Sequence, residues 1–323
     1  MHVGIEEALL QLERDGYAIV RGVLRPEDLA PVVEEYDLVA NRLADRLLAN
    51  GTISGFDRAA ATDQKIVELM RRTDGSCFQS LDITLPIEDR IQADTPMHLG
   101  AAVFELLRNE RLLDAIETFL GGEIYSVPVQ HMRVKPPERH LARAEAHTMT
   151  LVGQTYWHQD LVVVAEEADD TDMLGVWFAL NDVDLENGCL VVVPGSHKLG
   201  LVHHCDEPGR QGIPPDLVEG EPRPLPVSAG DVIFLHPLIM HSSLSNRSDG
   251  GRWSFDLRYC KTGQPTGRSW FPGFVARSRT DPSAELKDPA LWASGWLEAR
   301  ARLAGKPRPD FHHPSAPGHP LCA

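Results

Sequence analysis

The hydrophobic pattern changes period once, near Gly121-Gly122, and that change constrains the fold more than any single residue. Before it, apolar residues recur near every 3.6 positions. Leu29, Val32, Val33, Tyr36 and Val39 fall on one helical face, and Pro26, Glu27 and Asp28 suit a helix start. Helices are predicted over 5–14, 26–49, 62–72 and 99–120, the last stopped by the glycine pair. After it, apolar runs are short and broken by Pro, Gly, Asn and Asp. Strands are predicted over 124–134, 174–181, 190–194, 231–235 and 252–259, with Asn187-Gly188 as a tight hairpin turn. Many short strands behind a helical lead-in predict a mainly β domain with flanking helices, its core a double-stranded β-helix (jelly-roll, cupin-like). One domain is expected over 1–305: a mostly helical lead-in (1–122), the jelly-roll core (123–262) and a C-terminal appendage (263–305), helical over 277–304. The Pro- and His-rich stretch 306–323 is expected to be a flexible tail.

Within the β region, His158, Gln159 and Asp160 carry the first chemical signal. On an extended chain, residues i and i+2 share a face, so His158 and Asp160 can grip one ion together. A histidine from a distant strand would complete a set of two imidazoles and one carboxylate, which suits non-haem Fe(II) with positions left open. Two candidates for that histidine flank Pro237. His241 is favoured over His236, because it shares a face with Ser243. The polar stretch 245–251 contains Asp-Gly and Gly-Gly steps, so a hairpin is predicted there. It would return Arg252 to the level of Ser243 and His241, where a guanidinium beside a hydroxyl can clamp a carboxylate.

These residues lie within a longer pattern. Lys135-Pro136-Pro137, Trp157-His158-Gln159-Asp160, Trp177-Phe178-Ala179-Leu180, Asn187-Gly188-Cys189-Leu190, Pro194-Gly195-Ser196-His197-Lys198 and His236-Pro237 through His241-Ser242-Ser243 to Arg252 follow in order. Together they resemble the phytanoyl-CoA dioxygenase family of Fe(II)/2-oxoglutarate oxygenases, from about residue 10 to about residue 275. The resemblance implies that Fe(II) is held by His158, Asp160 and His241. It implies that 2-oxoglutarate is held by Arg252 and Ser243, with O2 as the second co-substrate. It also matches Trp177 to an aromatic wall of the co-substrate pocket, and His131 to a pocket-lining position where a methionine can occur. Substrate contacts are expected at Gln130, Arg133 and Arg139, the last opening a 139–154 segment read as a lid or a solvated loop.

The expected reaction is hydroxylation of an unactivated C–H bond, with desaturation, epoxidation and epimerisation drawing on the same triad. A cupin-like metal isomerase or hydrolase would have no use for Arg252 at this position, and retention of all three ligands and the clamp argues against a catalytically silent binding protein. The formal charge is −16, from 47 acidic against 31 basic residues, which argues against nucleic acid or an anionic membrane as partner and leaves a small-molecule substrate. No apolar run approaches the roughly 20 residues that span a bilayer, and no signal sequence opens the chain, so cytoplasm is the expected compartment. Five scattered cysteines without a CxxC pair are expected to be reduced thiols. His203-His204-Cys205 is read as an ordinary loop, and the tail histidines His312, His313 and His319 as inert.

Overall fold

Two sheets of unequal size pack face to face. The computed structural model describes residues 5–86, 91–141, 152–207, 210–307 and 320–322. The larger sheet contains β1 (Tyr17–Val20), β2 (Glu123–Lys135), β3 (Leu174–Ala179), β8 (Val232–Leu235), β10 (Arg252–Lys261) and β11 (Phe274–Ser278). Their order across the sheet is β1-β8-β3-β10-β2-β11, antiparallel throughout. The smaller sheet orders β7 (Arg223–Leu225), β4 (Leu190–Val192) and β9 (His241–Ser243), and β5 (Cys205–Glu207) pairs with β6 (Arg210–Gly212) apart from both. The mainly β jelly-roll expected from the strand pattern is what the chain forms.

Period-2 alternation decides which face each residue serves. On the larger sheet Val176, Phe178, Val232, Phe234, Phe255 and Leu257 point to the helices. Trp177, Ala179, Ile233 and Leu235 point inward against Leu190, Val192 and Leu225 of the smaller sheet. The helical layer comprises α1 (Ile5–Asp15), α2 (Pro26–Ala49), α3 (Thr62–Arg72), α4 (Ala101–Leu107), α5 (Glu110–Leu120) and α6 (Pro289–Leu303). It covers the outer face with residues such as Val32, Tyr36, Ile66, Phe104 and Trp296.

Several expectations are corrected. The single helix over 99–120 is two, because the Asn109 side chain accepts from the backbone N–H groups of Arg111 and Leu112 and caps a new start there. Residues 274–278, the last two expected to be helical, are instead a strand on the edge of the larger sheet. Asn187-Gly188 turns the chain from the larger sheet to the smaller one rather than closing a hairpin. The same holds for 244–251: β9 pairs with β4 while β10 pairs with β2 and β3, so no hairpin joins them. Asn246 holds that crossing by donating to the carbonyls of Lys135 and Gly250. The cysteines are not all thiols, since Cys205 and Cys322 form a disulfide; Cys77, Cys189 and Cys260 are buried and free. The expected tail lies largely outside the described residues, as do the 142–151 part of the lid segment and His312, His313 and His319. No helix among the described residues is long and apolar enough to cross a membrane.

Candidate active site

His158 and His241 meet as a pair of bridged residues, each donating its backbone N–H to the other's carbonyl at 3.0 Å. Gln159 is extended (φ −117°, ψ 137°), so Asp160 falls on the same side as His158 even though it opens a 3-10 turn rather than continuing a strand. Gln159 itself is turned away and pinned. Its N–H donates to His204 Nε2 at 3.0 Å, its Nε2 donates to the Gly200 and Leu238 carbonyls, and its Oε1 accepts from Val202 N.

The three side chains converge. The Nε2 atoms of His158 and His241 each lie 3.8 Å from Asp160 Oδ1. Each Nδ1 faces a carbonyl two residues upstream, Tyr156 O at 2.8 Å and Ile239 O at 3.1 Å. A carbonyl only accepts, so both Nδ1 atoms carry the proton and both Nε2 lone pairs point inward, as metal-binding imidazoles require. Burial, then the neighbouring His241, pushes the His158 pKa well below 6.5, which keeps that ring neutral. Burial would raise the Asp160 pKa, but the Arg258 guanidinium outweighs it and holds the carboxyl ionised. Arg258 bonds Asp160 Oδ1 directly. Asp160 Oδ2 is buried without a hydrogen-bond partner, an orphaned anionic acceptor that a cation would satisfy. Gly175 makes this possible: a Cβ there would sit 3.1 Å from Leu235 Cβ and 3.3 Å from Asp160 Oδ2.

Beside the triad lies a second constellation. Register places Lys135 opposite Arg252. The Lys135 ammonium donates to Ser243 Oγ at 2.6 Å and to the Leu244 carbonyl at 2.7 Å. Arg252 donates to the Gly188 carbonyl at 2.8 Å, lies 5.4 Å from the Trp177 ring centroid, and keeps its Nε buried without a partner. Burial, then Arg133, pulls the Arg252 pKa down to about 10. Burial and Arg252 likewise lower that of Lys135. Arg133 stands over Phe78 with a buried, unpartnered Nη1. Lys135 and Arg252 are buried and Arg133 is half-buried, and none of the three is ion-paired to a carboxylate among the described residues, an excess of positive charge that a dianion fits.

The remaining sequence candidates divide. Ser243 lies against Lys135 and Trp177 against Arg252, brought there by sheet-to-sheet packing rather than by the expected hairpin. His131 lies in the cross-strand row His131–Asp256–Trp177, its Nδ1 2.9 Å from Asp82 Oδ2. Gln130, expected to contact substrate, is engaged with Ser126, and Ser126 pairs with Tyr259 of the helix-side core. Arg139, also expected to contact substrate, pairs with the exposed Asp249 at 2.5 Å and with the Ser248 carbonyl at 2.9 Å. Arg258, Lys135 and the anchoring of Gln159 were missed. The signal for Arg258 was its shared parity with Arg252, Ser254 and Asp256 on one strand.

His236, the rival ligand, lies away from the triad against His197, ring centroids 5.0 Å apart. Burial and His197 push its pKa from 6.5 down to about 4. The folded state refuses a proton that the unfolded state accepts, so its contribution is full above pH 6.5 and is lost as pH falls towards 4. Thermal melts of apoprotein across that window should show wild type losing stability with acid more steeply than His236→Gln. Parallel slopes would remove His236 from the account.

A family model described as phytanoyl-CoA dioxygenase (PhyH) matches residues 12–254. Phytanoyl-CoA dioxygenase domain-containing protein 1 of Rattus norvegicus is 31% identical over 205 residues, 61% of this chain and 63% of its own length. The peroxisomal phytanoyl-CoA dioxygenase of Rattus norvegicus is 30% identical over 157 residues, 46% of this chain and 43% of its own. The chain thus spans less than two thirds of these relatives. Among solved structures, a non-heme monooxygenase, ThoJ, superposes with a TM-score of 0.56 at 16% identity, covering 91% of this chain and 96% of its own. The epimerase SnoN in complex with Fe3+, alpha ketoglutarate and nogalamycin RO gives 0.51 at 22% identity, covering 83% and 89%. The structural likeness speaks to the fold. With the family model matched across most of its length, the chain belongs to the phytanoyl-CoA dioxygenase (PhyH) family.

Proposed function

We propose that the protein is an Fe(II)- and 2-oxoglutarate-dependent dioxygenase that hydroxylates an unactivated C–H bond of a small metabolite, releasing succinate and CO2. The observation that carries this reading is the adjacency of two constellations: a converging His-Asp-His set and a largely buried cationic cluster with no ion-paired carboxylate among the described residues. Two imidazoles and one carboxylate suit Fe(II), and the orphaned Asp160 Oδ2 and inward Nε2 atoms fit that cation. His158, Asp160 and His241 would hold it, and it would supply the redox chemistry that couples O2 to oxidative decarboxylation of 2-oxoglutarate.

The protein's own residues do the rest. The Nδ1–carbonyl bonds fix both rings, and Arg258 keeps Asp160 anionic and in one orientation. Arg252 would receive the distal carboxylate of 2-oxoglutarate. Ser243 Oγ already accepts from Lys135 and from Thr155 N at 3.2 Å, so its remaining proton is free to donate to that carboxylate. Trp177 walls the clamp and keeps water from it. Desaturation or epimerisation would use the same residues, and product analysis separates them.

The test is anaerobic titration of apoprotein with Fe(II), then with 2-oxoglutarate, following the visible charge-transfer absorption of a keto acid chelated to Fe(II). The band should form in wild type and be absent in His241→Ala, which should also lose most Fe(II) affinity. Iron bound without a band would sink the 2-oxoglutarate assignment.

A further inference from the structure

A second group of metal-ligating side chains comes together away from the triad. His203, Cys205 and Cys322 offer ligand atoms all within 4.8 Å of one another. Cys322 belongs to a 3-10 turn, Pro320–Cys322, that contacts β5, and its Sγ lies 3.1 Å from His203 Nε2. The two cysteines are 117 residues apart in sequence, with Cα atoms 5.4 Å apart and the sulfurs joined as a disulfide. Two sequence features that the proposed oxygenase chemistry leaves unused, the His203-His204-Cys205 cluster and the terminal cysteine, are therefore one place in the fold.

We propose that in its dithiol state this place is a binding site for a soft divalent cation such as Zn2+. A thiol reductant opens the cystine, gaining a disulfide of its own while two thiols form here. The cation then displaces the two thiol protons and is held by two thiolate sulfurs and the His203 imidazole. Tetrahedral Zn–S bonds of about 2.3 Å set the two sulfurs roughly 3.8 Å apart. Cys205 is buried on β5 while Cys322 is exposed on a short turn, so Cys322 is the side chain that rotates to open that span. The fourth position is left to water.

The donor sets keep the two sites chemically apart. The triad has no sulfur, whereas this site has two, so a hard cation prefers the former and a soft one the latter. The sites are also joined mechanically. His204, between two of the new ligands, accepts the backbone N–H of Gln159, which separates His158 from Asp160.

Cobalt(II) is the probe, because thiolate-to-cobalt charge transfer in the near ultraviolet reports sulfur ligation and nothing at the triad produces it. Reduced, metal-free full-length protein, freed of reductant under argon, is titrated with Co2+. The expected result is a thiolate band in wild type and in His241→Ala, saturating at one equivalent in His241→Ala, where the triad no longer competes for the cation. The band is lost in Cys205→Ser, in Cys322→Ser and in protein oxidised to the cystine. His203→Ala should weaken Co2+ binding at this site by about tenfold or more. Circular dichroism of each serine variant establishes that it is folded. No thiolate band in reduced wild type, or a band unchanged in Cys322→Ser, overturns the proposal.

Discussion

Arg252→Met should weaken 2-oxoglutarate binding to the iron-loaded protein severely while leaving the apoprotein close to its original stability. Removing one partner of a buried, hydrogen-bonded charge pair costs about 2–5 kcal/mol, which corresponds to roughly 30-fold to several thousand-fold in dissociation constant. Without co-substrate the accounting is different. Arg252 is buried near Arg133 and Lys135, and among the described residues its anchors are the Gly188 carbonyl and the Trp177 face. Losing the carbonyl bond costs about 1 kcal/mol, and relief of like-charge crowding offsets part of it. Anaerobic titration of the charge-transfer band gives the affinity, and denaturant melts of apoprotein give the stability. Unchanged affinity would show that the distal carboxylate is held elsewhere; a large loss of stability would show that Arg252 is a structural residue.

Arg258→Met should produce the opposite pattern. Arg258 and Asp160 are both buried and bonded to each other, and breaking such a pair from one side costs about 3–5 kcal/mol because a buried charge is left unpaired. The apoprotein should therefore melt far earlier. A divalent cation at the triad replaces the missing positive charge, so added Ni2+ should raise the melting temperature of Arg258→Met by more than it raises that of wild type. The double variant Asp160→Asn/Arg258→Met should recover much of the lost apoprotein stability, because neither charge remains. If the single variant melts with wild type, Asp160 is protonated in the folded apoprotein and the paired carboxylate described above is wrong.

These two arginines also show what the sequence could and could not reveal. The helices over 26–49 and 62–72 were legible because local propensity and a 3.6 period agree there. His158 and Asp160 were legible because only one extended residue separates them. Arg252 was reached by faulty geometry: a polar stretch such as 245–251 has the same composition whether it reverses a strand or carries the chain between sheets. The observed bonds of Asn246 to Lys135 and Gly250 are long-range facts that composition does not encode. Lys135 and Arg258 act through cross-strand register, which sequence spacing does not set. The Cys205–Cys322 link spans 117 residues, and no local pattern announces such a pairing.

The placement of β1 and β11 at the two ends of the six-stranded order has a practical consequence. Each comes from a flank that composition would mark as expendable, yet each occupies the hydrogen-bonding rim of the strand beside it. A shortened version cut to the motif-bearing stretch would bare β8 on one side and β2 on the other, the first all Val, Ile, Phe and Leu and the second carrying Ile, Tyr and three Val. Such open rims recruit other chains, so trimmed versions should self-associate while keeping every residue of the proposed centre. Insolubility of such a fragment would report lost margins, not a damaged catalytic design.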